Sequence, residues 1–259
     1  RNTGDFGTIN YMASQDGFTL YDTVTYNYRH NEANGEDNHD GSDYNYSWNC
    51  GVEGASRKQA IRRLREQQLR NAFLMLLLSQ GTPMIYGGDE FGNSQNGNNN
   101  AWCQDNSVGW TDWKCMKKQE KLFSFVKKAI AFRKDHPILH MPNELRSVDY
   151  MAKGFPDVSF HGERAWFLNM ENTSRLIGIM YCGAYAQKPD VTGVQTCALP
   201  IWIQFPLGET KYRTAESSGR NDLEKDRRHF RSGGEELVPG RQRNLQKNNR
   251  HQSTYHCGT

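Results

Sequence analysis

The feature that most constrains the fold is a long amphipathic segment at residues 57–80. Its apolar side chains recur at steps of three and four residues, the period of a helix with one buried face: Ile61, Leu64, Leu69, Ala72, Phe73, Leu76 and Leu77. Ser56 is a candidate N-cap, and the Gly and Pro just beyond the segment predict its end. Short apolar stretches at residues 8–14 and 83–86 flank the helix and are typical of strands. This order of strand, helix and strand predicts a βαβ unit with a parallel sheet.

Acidic residues follow both predicted strands. Asp16 comes after the first strand, and Asp89 and Glu90 come after the second. A long polar and aromatic loop lies further along in each case, at residues 28–54 and 91–113, and loops of this length in a compact protein are usually functional. Carboxylates and long loops after parallel strands follow the plan of a β/α barrel, whose chemistry sits on the loops after its strands.

A second helix and a β-rich part follow the second loop. The helix is predicted by apolar residues at helical spacing: Leu122, Phe125, Val126, Ala129, Ile130 and Phe132. The dipeptide His136-Pro137 predicts its end, since the residue before a proline avoids the helical conformation. Short β-like stretches at residues 165–168 and 176–185, separated by polar turns, then predict a small antiparallel domain.

Five stretches of the sequence are similar to one enzyme family: INYMASQDGFTLYD, YNYRHNEANGEDNHDG, NYSWNCGVEG, LLLSQGTPMIYGGDEFG and NNNAWCQDN. They closely resemble the debranching branch of glycoside hydrolase family 13, the α-amylase superfamily, with its glycogen debranching enzymes, type I pullulanases and isoamylases. The resemblance covers residues 4–187 and implies an α/β fold. Residues 1–138 would hold the last strands and helices of an eight-stranded (β/α)8 barrel, and residues 139–192 the start of a small antiparallel β domain.

The resemblance also implies a chemistry. The family hydrolyses α-glucosidic bonds with retention, through a carboxylate nucleophile and a carboxylic acid about 5 to 5.5 Å apart. A third carboxylate stabilises the transition state, and Asp16 matches its position, while Gln15 stands where the family has His and is the expected sugar contact. The parent enzyme would cut α-1,6 branch points in glycogen, amylopectin or pullulan, with branched α-glucan as its partner. The nucleophile and the acid lie on earlier barrel strands, so we expect the fragment to be inactive.

Other residues of the two loops have alternative roles. Tyr46, Trp48 and Trp102 could stack on sugar faces or pack the loops onto the barrel. The polar residues His30, Asn31, Glu32, Asn34 and Glu36 could bind hydroxyl groups or one another, and we favour the internal bonds. Asp89 and Glu90 receive no catalytic role, because adjacent residues on an extended chain point to opposite sides.

Composition excludes several other functions. The apolar stretch at residues 73–78 is far shorter than the ~18 residues of a membrane span, so no membrane partner is expected. Residues 202–259 hold 11 basic and 7 acidic residues, a charge of +4, which leaves −1 for the rest of a chain of +3. No specific nucleic-acid partner follows from so local an excess. The six cysteines form no CxxC pair and no cluster with His, which predicts free thiols and no metal site. Together with the resemblance to glycogen-degrading enzymes, the free thiols indicate a cytoplasmic location. No cofactor is expected, and the sequence indicates no oligomeric state.

The two ends of the sequence predict an incomplete chain. It opens on Arg1 rather than Met, and we expect a fragment of a longer protein. The stretch GVQTCALPI at residues 193–201 resembles the translation of a sequencing-library adaptor, so residues 193–259 are predicted to be a chimeric or out-of-frame tail. We expect this tail to be disordered or loosely docked. Two other functions stay open: a non-catalytic α-glucan-binding fragment, and an α-1,4-acting amylase of the same superfamily.

Overall fold

The predicted βαβ unit is present. The computed structural model describes residues 8–171, 174–186 and 198–204. Strand β1 (Ile9–Asn10) pairs in parallel with β2 (Thr82–Pro83), with Ile9 opposite Thr82. Both strands are shorter than predicted, but backbone hydrogen bonds from Thr82 to Thr8 and from Met84 to Asn10, both of 2.8 Å, carry the pairing to either side.

Helix α2 (Gln59–Leu78) lies between the two strands and begins later than predicted. Its N-cap is Lys58, whose side chain makes no capping bond, so the prediction that Ser56 is the N-cap is wrong. The Ser56 hydroxyl instead accepts a hydrogen bond from the Lys58 N–H, two residues further along, at 3.2 Å. The prediction of the end is confirmed, because the helix stops just before Gly81, whose φ of +94° is not helical.

Three further helices complete the first part of the chain. Helix α1 (Leu20–Thr23) is capped by the Thr19 hydroxyl, which accepts from the Asp22 N–H at 3.1 Å. Helices α3 (Lys114–Lys118) and α4 (Glu120–Asp135) follow the second long loop. The predicted end of the second helix is confirmed, since His136 is the C-cap of α4. Helices α2 and α4 share one apolar core, whose buried members include Leu69, Phe73, Leu77, Leu122 and Val126.

The antiparallel sheet expected after α4 is also present. It consists of β3 (Val158–His161), β4 (Leu176–Cys182) and β5 (Ala198–Gln204), in the order β3-β4-β5. Residues 165–168 are not a strand, which corrects that prediction: the chain turns there, with a single bridge between Arg164 and Phe167. The four residues of β3 were missed because so short a stretch shows little alternation.

Strand β5 corrects the prediction for the start of the tail. Residues 198–204 pair with the whole of β4, from Leu176 opposite Gln204 to Cys182 opposite Ala198. Ile201 and Ile203 are buried in the core beneath the sheet. The expectation of a disordered tail is therefore wrong for these seven residues, because their mostly apolar sequence, ALPIWIQ, gives them side chains to bury. The rest of the predicted tail lies outside the described residues.

The antiparallel sheet packs on the C-terminal end of α2. Leu74 and Leu78 of α2 belong to the same buried cluster as Tyr181 of β4 and Ile201 of β5. The Tyr181 hydroxyl donates a hydrogen bond of 2.9 Å to the Leu78 carbonyl, one of those that a helix end leaves without an intrahelical partner. The sheet therefore covers an end of the helix that would otherwise expose apolar and polar groups together.

One face of the parallel strand pair is left uncovered. Within the described residues this sheet has two strands, so each strand has an edge without a partner. A groove of about 310 Å³ runs between β1 and α2, lined mainly by Ile9, Tyr11, Met12, Met75 and Leu76. Ile9 is 64% exposed, which is unusual for isoleucine in a parallel strand. The parallel strand pair therefore has an exposed apolar flank. None of the described helices has the length and apolar character needed to cross a membrane.

Candidate functional site

Asp16 and Gln15 lie on the segment that leads from β1 to α1. Both side chains are exposed, and among the described residues the Asp16 carboxylate has no hydrogen-bond partner. The backbone is held at two points. The Ser14 hydroxyl donates to the Asp16 carbonyl at 3.0 Å, and the Gly17 N–H donates to the Asn99 carbonyl at 3.0 Å. Gly17 has a φ of +111°, which a residue with a side chain rarely adopts. Asp16 therefore presents a free carboxylate from a fixed turn.

The two long polar loops interlock through asparagine side chains. Asn31 of the first loop is fully buried; its amide NH₂ donates to Asn99 Oδ1 at 2.8 Å, and its own Oδ1 accepts from the Asn99 N–H at 3.0 Å. The Asn99 amide also donates to Asn45 Oδ1 at 2.6 Å. Buried amides need partners for both their donors and their acceptors, and here each loop supplies them to the other. The asparagine content of these loops thus has a structural reason.

A carboxylate joins the same network. Asp40 Oδ2 accepts from the amides of Asn34, at 2.7 Å, and of Asn100, at 2.8 Å. These two hydrogen bonds hold the pKa of Asp40 below its ordinary value. The Asn34 Oδ1 accepts in turn from the Asn98 amide at 2.8 Å. The preference for internal bonds over free hydroxyl-binding groups is therefore confirmed for Asn31 and Asn34.

Exposed aromatic rings stand on these interlocked loops. Tyr46 is 99% exposed, Trp102 84% and Trp48 45%. Rings as open as those of Tyr46 and Trp102 contribute little to packing within the described residues. Trp110 and Trp113 on the second loop are also exposed, and neither was predicted as a sugar-stacking residue. An aromatic residue in a polar loop was the signal for the first three, and it applies equally to these two.

Two buried carboxylates lie behind the loops. Asp22 of α1 accepts hydrogen bonds from the Ser94 hydroxyl at 2.5 Å and from the Gln95 N–H at 2.7 Å. Burial raises the pKa of Asp22 to about 6, although these hydrogen bonds act in the opposite direction. Asp89 accepts from the Leu20 N–H at 2.9 Å, and burial raises its pKa to about 7. Asp89 thus binds the backbone at the start of α1, and Asp89–Phe91 form a 3₁₀ helix rather than the extended chain that was expected there. Asp22 was missed, since a single acidic residue near a helix start carries no distinctive signal.

The described residues contain no group of three or more His, Cys, Asp or Glu side chains that could hold a metal ion. Four of the six cysteines lie in the described part of the chain, and all four are free thiols: Cys50, Cys103, Cys115 and Cys182. Burial raises the pKa of Cys50, and a neutral thiol buried in this way behaves as a small apolar side chain.

The chain is similar to several curated proteins. It is 52% identical over 131 residues to the glycogen operon protein GlgX homolog of Mycobacterium tuberculosis strain H37Rv, covering 51% of this chain and 18% of that protein. It is 49% identical over 202 residues to the chloroplastic isoamylase 1 of Arabidopsis thaliana, covering 77% and 24%. It is 48% identical over 132 residues to the glycogen debranching enzyme of Erwinia tasmaniensis, covering 51% and 20%. No protein-family model matches the chain.

By their names, these relatives are glycogen operon, isoamylase and glycogen debranching proteins. The chain is therefore similar to the debranching branch of glycoside hydrolase family 13, as the sequence motifs predicted. The chain spans between 18% and 24% of the length of the three relatives described above. Among solved structures, a pullulanase from Bacillus acidopullulyticus matches with a TM-score of 0.42 and 20% identity, over 69% of this chain and 16% of that one.

Proposed function

We propose that this chain is the late-barrel part of a debranching enzyme that cleaves α-1,6-glucosidic bonds in glycogen, amylopectin or pullulan, with branched α-glucan as its partner. The observation that carries the proposal is the free Asp16 carboxylate on a fixed turn, beside loops that hold open aromatic rings. A carboxylate that has no partner within the described residues is available to a ligand. The turn that carries it is held by hydrogen bonds within the protein and needs no ligand to fix it.

In this proposal Asp16 stabilises the transition state. As the sugar ring is distorted, its hydroxyl groups change direction, and a fixed carboxylate that accepts from them better in the distorted ring lowers the barrier. Hydrogen bonds to an ionised acceptor are stronger than those between neutral groups. Gln15 lies beside Asp16 and is also exposed, so its amide can donate to the same sugar. Unlike the histidine of the family, it carries no positive charge at any pH.

The isolated chain is proposed to bind α-glucan without hydrolysing it. Retaining hydrolysis needs a nucleophile and an acid about 5 to 5.5 Å apart across the scissile bond. Asp22 and Asp89 cannot serve, because both are buried and accept hydrogen bonds from protein groups. Two alternatives remain, a purely glucan-binding protein and an α-1,4-acting amylase. The second predicts stronger binding to amylose, an α-1,4-linked glucan, than to pullulan.

Affinity electrophoresis of the full chain tests the proposal. Pullulan and glycogen in the gel should retard it, whereas hydroxyethyl cellulose, a β-glucan, should not. Trp102→Ala should weaken binding roughly 2- to 13-fold, which corresponds to about 0.5 to 1.5 kcal/mol for one aromatic contact. Phe160→Ala removes an exposed ring of β3, away from the loops, and should change nothing.

Each other outcome has a distinct meaning. Absence of retardation by all α-glucans would contradict glucan binding. Stronger retardation by amylose than by pullulan would favour the α-1,4-acting alternative. Release of reducing ends from pullulan by the isolated chain would refute the proposal that it does not hydrolyse the substrate.

A further inference from the structure

Two buried carboxylates join the segments that follow the two parallel strands, and they do so in opposite directions. Asp89, which comes after β2, reaches back to α1 and accepts from the Leu20 N–H at 2.9 Å. Asp22, which comes after β1, reaches forward to the second loop, where it accepts from the Gln95 N–H at 2.7 Å and the Gly97 N–H at 3.4 Å. We call this arrangement of Asp22 and Asp89 the carboxylate clasp.

The clasp is connected to Asp16 through the backbone. Asp89 fixes the start of α1, four residues beyond Asp16. Asp22 fixes the turn at residues 94–97, and two residues further on the Asn99 carbonyl accepts from the Gly17 N–H at 3.0 Å. Since the Asp16 carboxylate has no partner of its own among the described residues, its direction depends on these backbone anchors.

We propose that Asp22 and Asp89 are positioning residues, which hold the turn that presents Asp16 to the glucan without touching the glucan themselves. The inference rests on the proposed role of Asp16. Asp22 is fully buried and Asp89 is 2% exposed, so neither side chain can reach a polysaccharide on the surface. Asp22 accepts hydrogen bonds from the backbone N–H groups of Gln95 and Gly97, and Asp89 accepts one from that of Leu20. Without these carboxyl groups the N–H groups would be buried without an acceptor.

The geometry of Asp22 defines a conservative variant and a disruptive one. Its Oδ2 accepts from the two backbone N–H groups, and its Oδ1 accepts from the Ser94 hydroxyl. In Asp22→Asn the amide oxygen can keep the backbone bonds, while the NH₂ group donates to the Ser94 oxygen, which can accept as well as donate. Asp22→Ala removes all three acceptor contacts. The proposal therefore expects Asn to preserve the position of Asp16 and Ala to disturb it.

Amide hydrogen exchange of the full chain tests the connection without any ligand. Asp22→Ala should accelerate exchange of the Gly17 amide at least 10-fold, although Gly17 does not touch Asp22. Asp89→Ala should do the same, and Asp22→Asn should not. Ser94→Ala, which removes one contact only, should give a smaller acceleration and serves where Asp22→Ala does not fold. Unchanged Gly17 protection in all three disruptive variants would overturn the proposal.

Asp157 supplies a matched control. It is also a fully buried carboxylate, and it accepts from three backbone N–H groups, those of Arg146 at 2.7 Å, Ser147 at 2.8 Å and Val158 at 2.8 Å. It lies in the antiparallel part, away from Asp16. Asp157→Ala should expose its own three donors to exchange and leave Gly17 protected. If it accelerates Gly17 as much as Asp22→Ala does, the effect is general destabilisation and the proposal fails.

A double-mutant cycle on pullulan affinity separates this inference from the proposed function. Asp16→Ala and Asp22→Ala should each weaken binding, and Asp22→Ala should add little in the Asp16→Ala background, because it acts through Asp16. Independent losses that multiply in the double variant would overturn the positioning role. If the unaltered chain binds no glucan at all, the proposed function fails, and the exchange of Gly17 alone then decides whether the clasp holds the Asp16 turn.

Discussion

Asp89→Asn is expected to stabilise the fold at both pH 5 and pH 8, and considerably more at pH 8. Burial raises the pKa of Asp89 from 3.8 to about 7; the Leu20 N–H opposes this shift, and the negative charges of Glu90 and Asp22 add to it. In the unfolded chain the same carboxyl has its ordinary pKa. Between these two values the folded chain holds a proton that the unfolded chain has released, so the stability from this group falls as the pH rises.

The size of the effect follows from the shift. One pKa unit corresponds to about 1.4 kcal/mol, and the range from pH 5 to about 7 covers about two units, so the wild type should lose about 3 kcal/mol from this group. Asn does not ionise, and its side-chain oxygen can still accept from the Leu20 N–H. The free energy of unfolding of Asp89→Asn, minus that of the wild type, should therefore be about 3 kcal/mol larger at pH 8 than at pH 5.

Urea unfolding at the two pH values measures this difference directly, because each comparison is made between two chains in the same buffer. Asp135→Asn, at the exposed end of α4, removes a carboxylate without burial and should change the free energy of unfolding by less than about 0.5 kcal/mol at both pH values. An Asp89→Asn effect of the same size at pH 5 and at pH 8 would refute the argument that burial holds a proton on this carboxyl.

Three further predictions concern the C-terminal end of α2 and the second loop. Arg133→Ala should lower the free energy of unfolding by about 3 kcal/mol, because its buried guanidinium donates to three carbonyls at and just beyond the end of α2, at 2.6 to 2.7 Å. Urea unfolding tests this, and Arg133→Lys should restore part of the loss. Tyr181→Phe, which removes the bond to the Leu78 carbonyl, should cost about 1 to 2 kcal/mol in the same assay, and no loss would mean that the bond contributes nothing. Gly97→Ala should loosen the second loop, because Gly97 has a φ of +79° and an added Cβ would lie 2.8 Å from His30 Cδ2. The expected result is faster proteolytic cleavage within residues 94–100, and wild-type resistance would contradict it.

The parts of the fold that could be predicted are those with a period. The buried stripe of residues 57–80 specified α2 nearly to its ends, and a helix between two apolar stretches specified a parallel strand pair. Three predictions were wrong, those for the N-cap, for a strand at residues 165–168 and for the start of the tail, and none of these segments shows a clear period. Ser56 has the chemistry of an N-cap, but the helix starts after Lys58, so local preference alone did not decide the boundary. In residues 198–204 the resemblance to an adaptor outweighed the continuous apolar stretch, and that stretch was the physical signal of β5.

The candidate site was predictable in part. Asp16 followed from its place after a strand and from the resemblance, and the structure shows its carboxylate exposed. The partners of that turn did not follow, because Gly17 bonds to Asn99 across 82 residues of sequence and Leu20 bonds to Asp89 across 69, where no spacing rule applies. A buried asparagine or aspartate looks the same in sequence as one in a solvated loop.

The interlocked loops explain how open aromatic rings can be held in place. Loops that lack an apolar core usually lose order, because nothing offsets the entropy of fixing them. Here buried amides take over that role: Asn31 and Asn99 bond to each other in both directions, and Asp22 binds the turn just before them. The aromatic side chains are then not needed to pack the loops, so Tyr46 and Trp102 can remain on the surface. An ordered backbone with free rings loses little entropy when a sugar stacks on it, which is the condition that α-glucan binding at this surface requires.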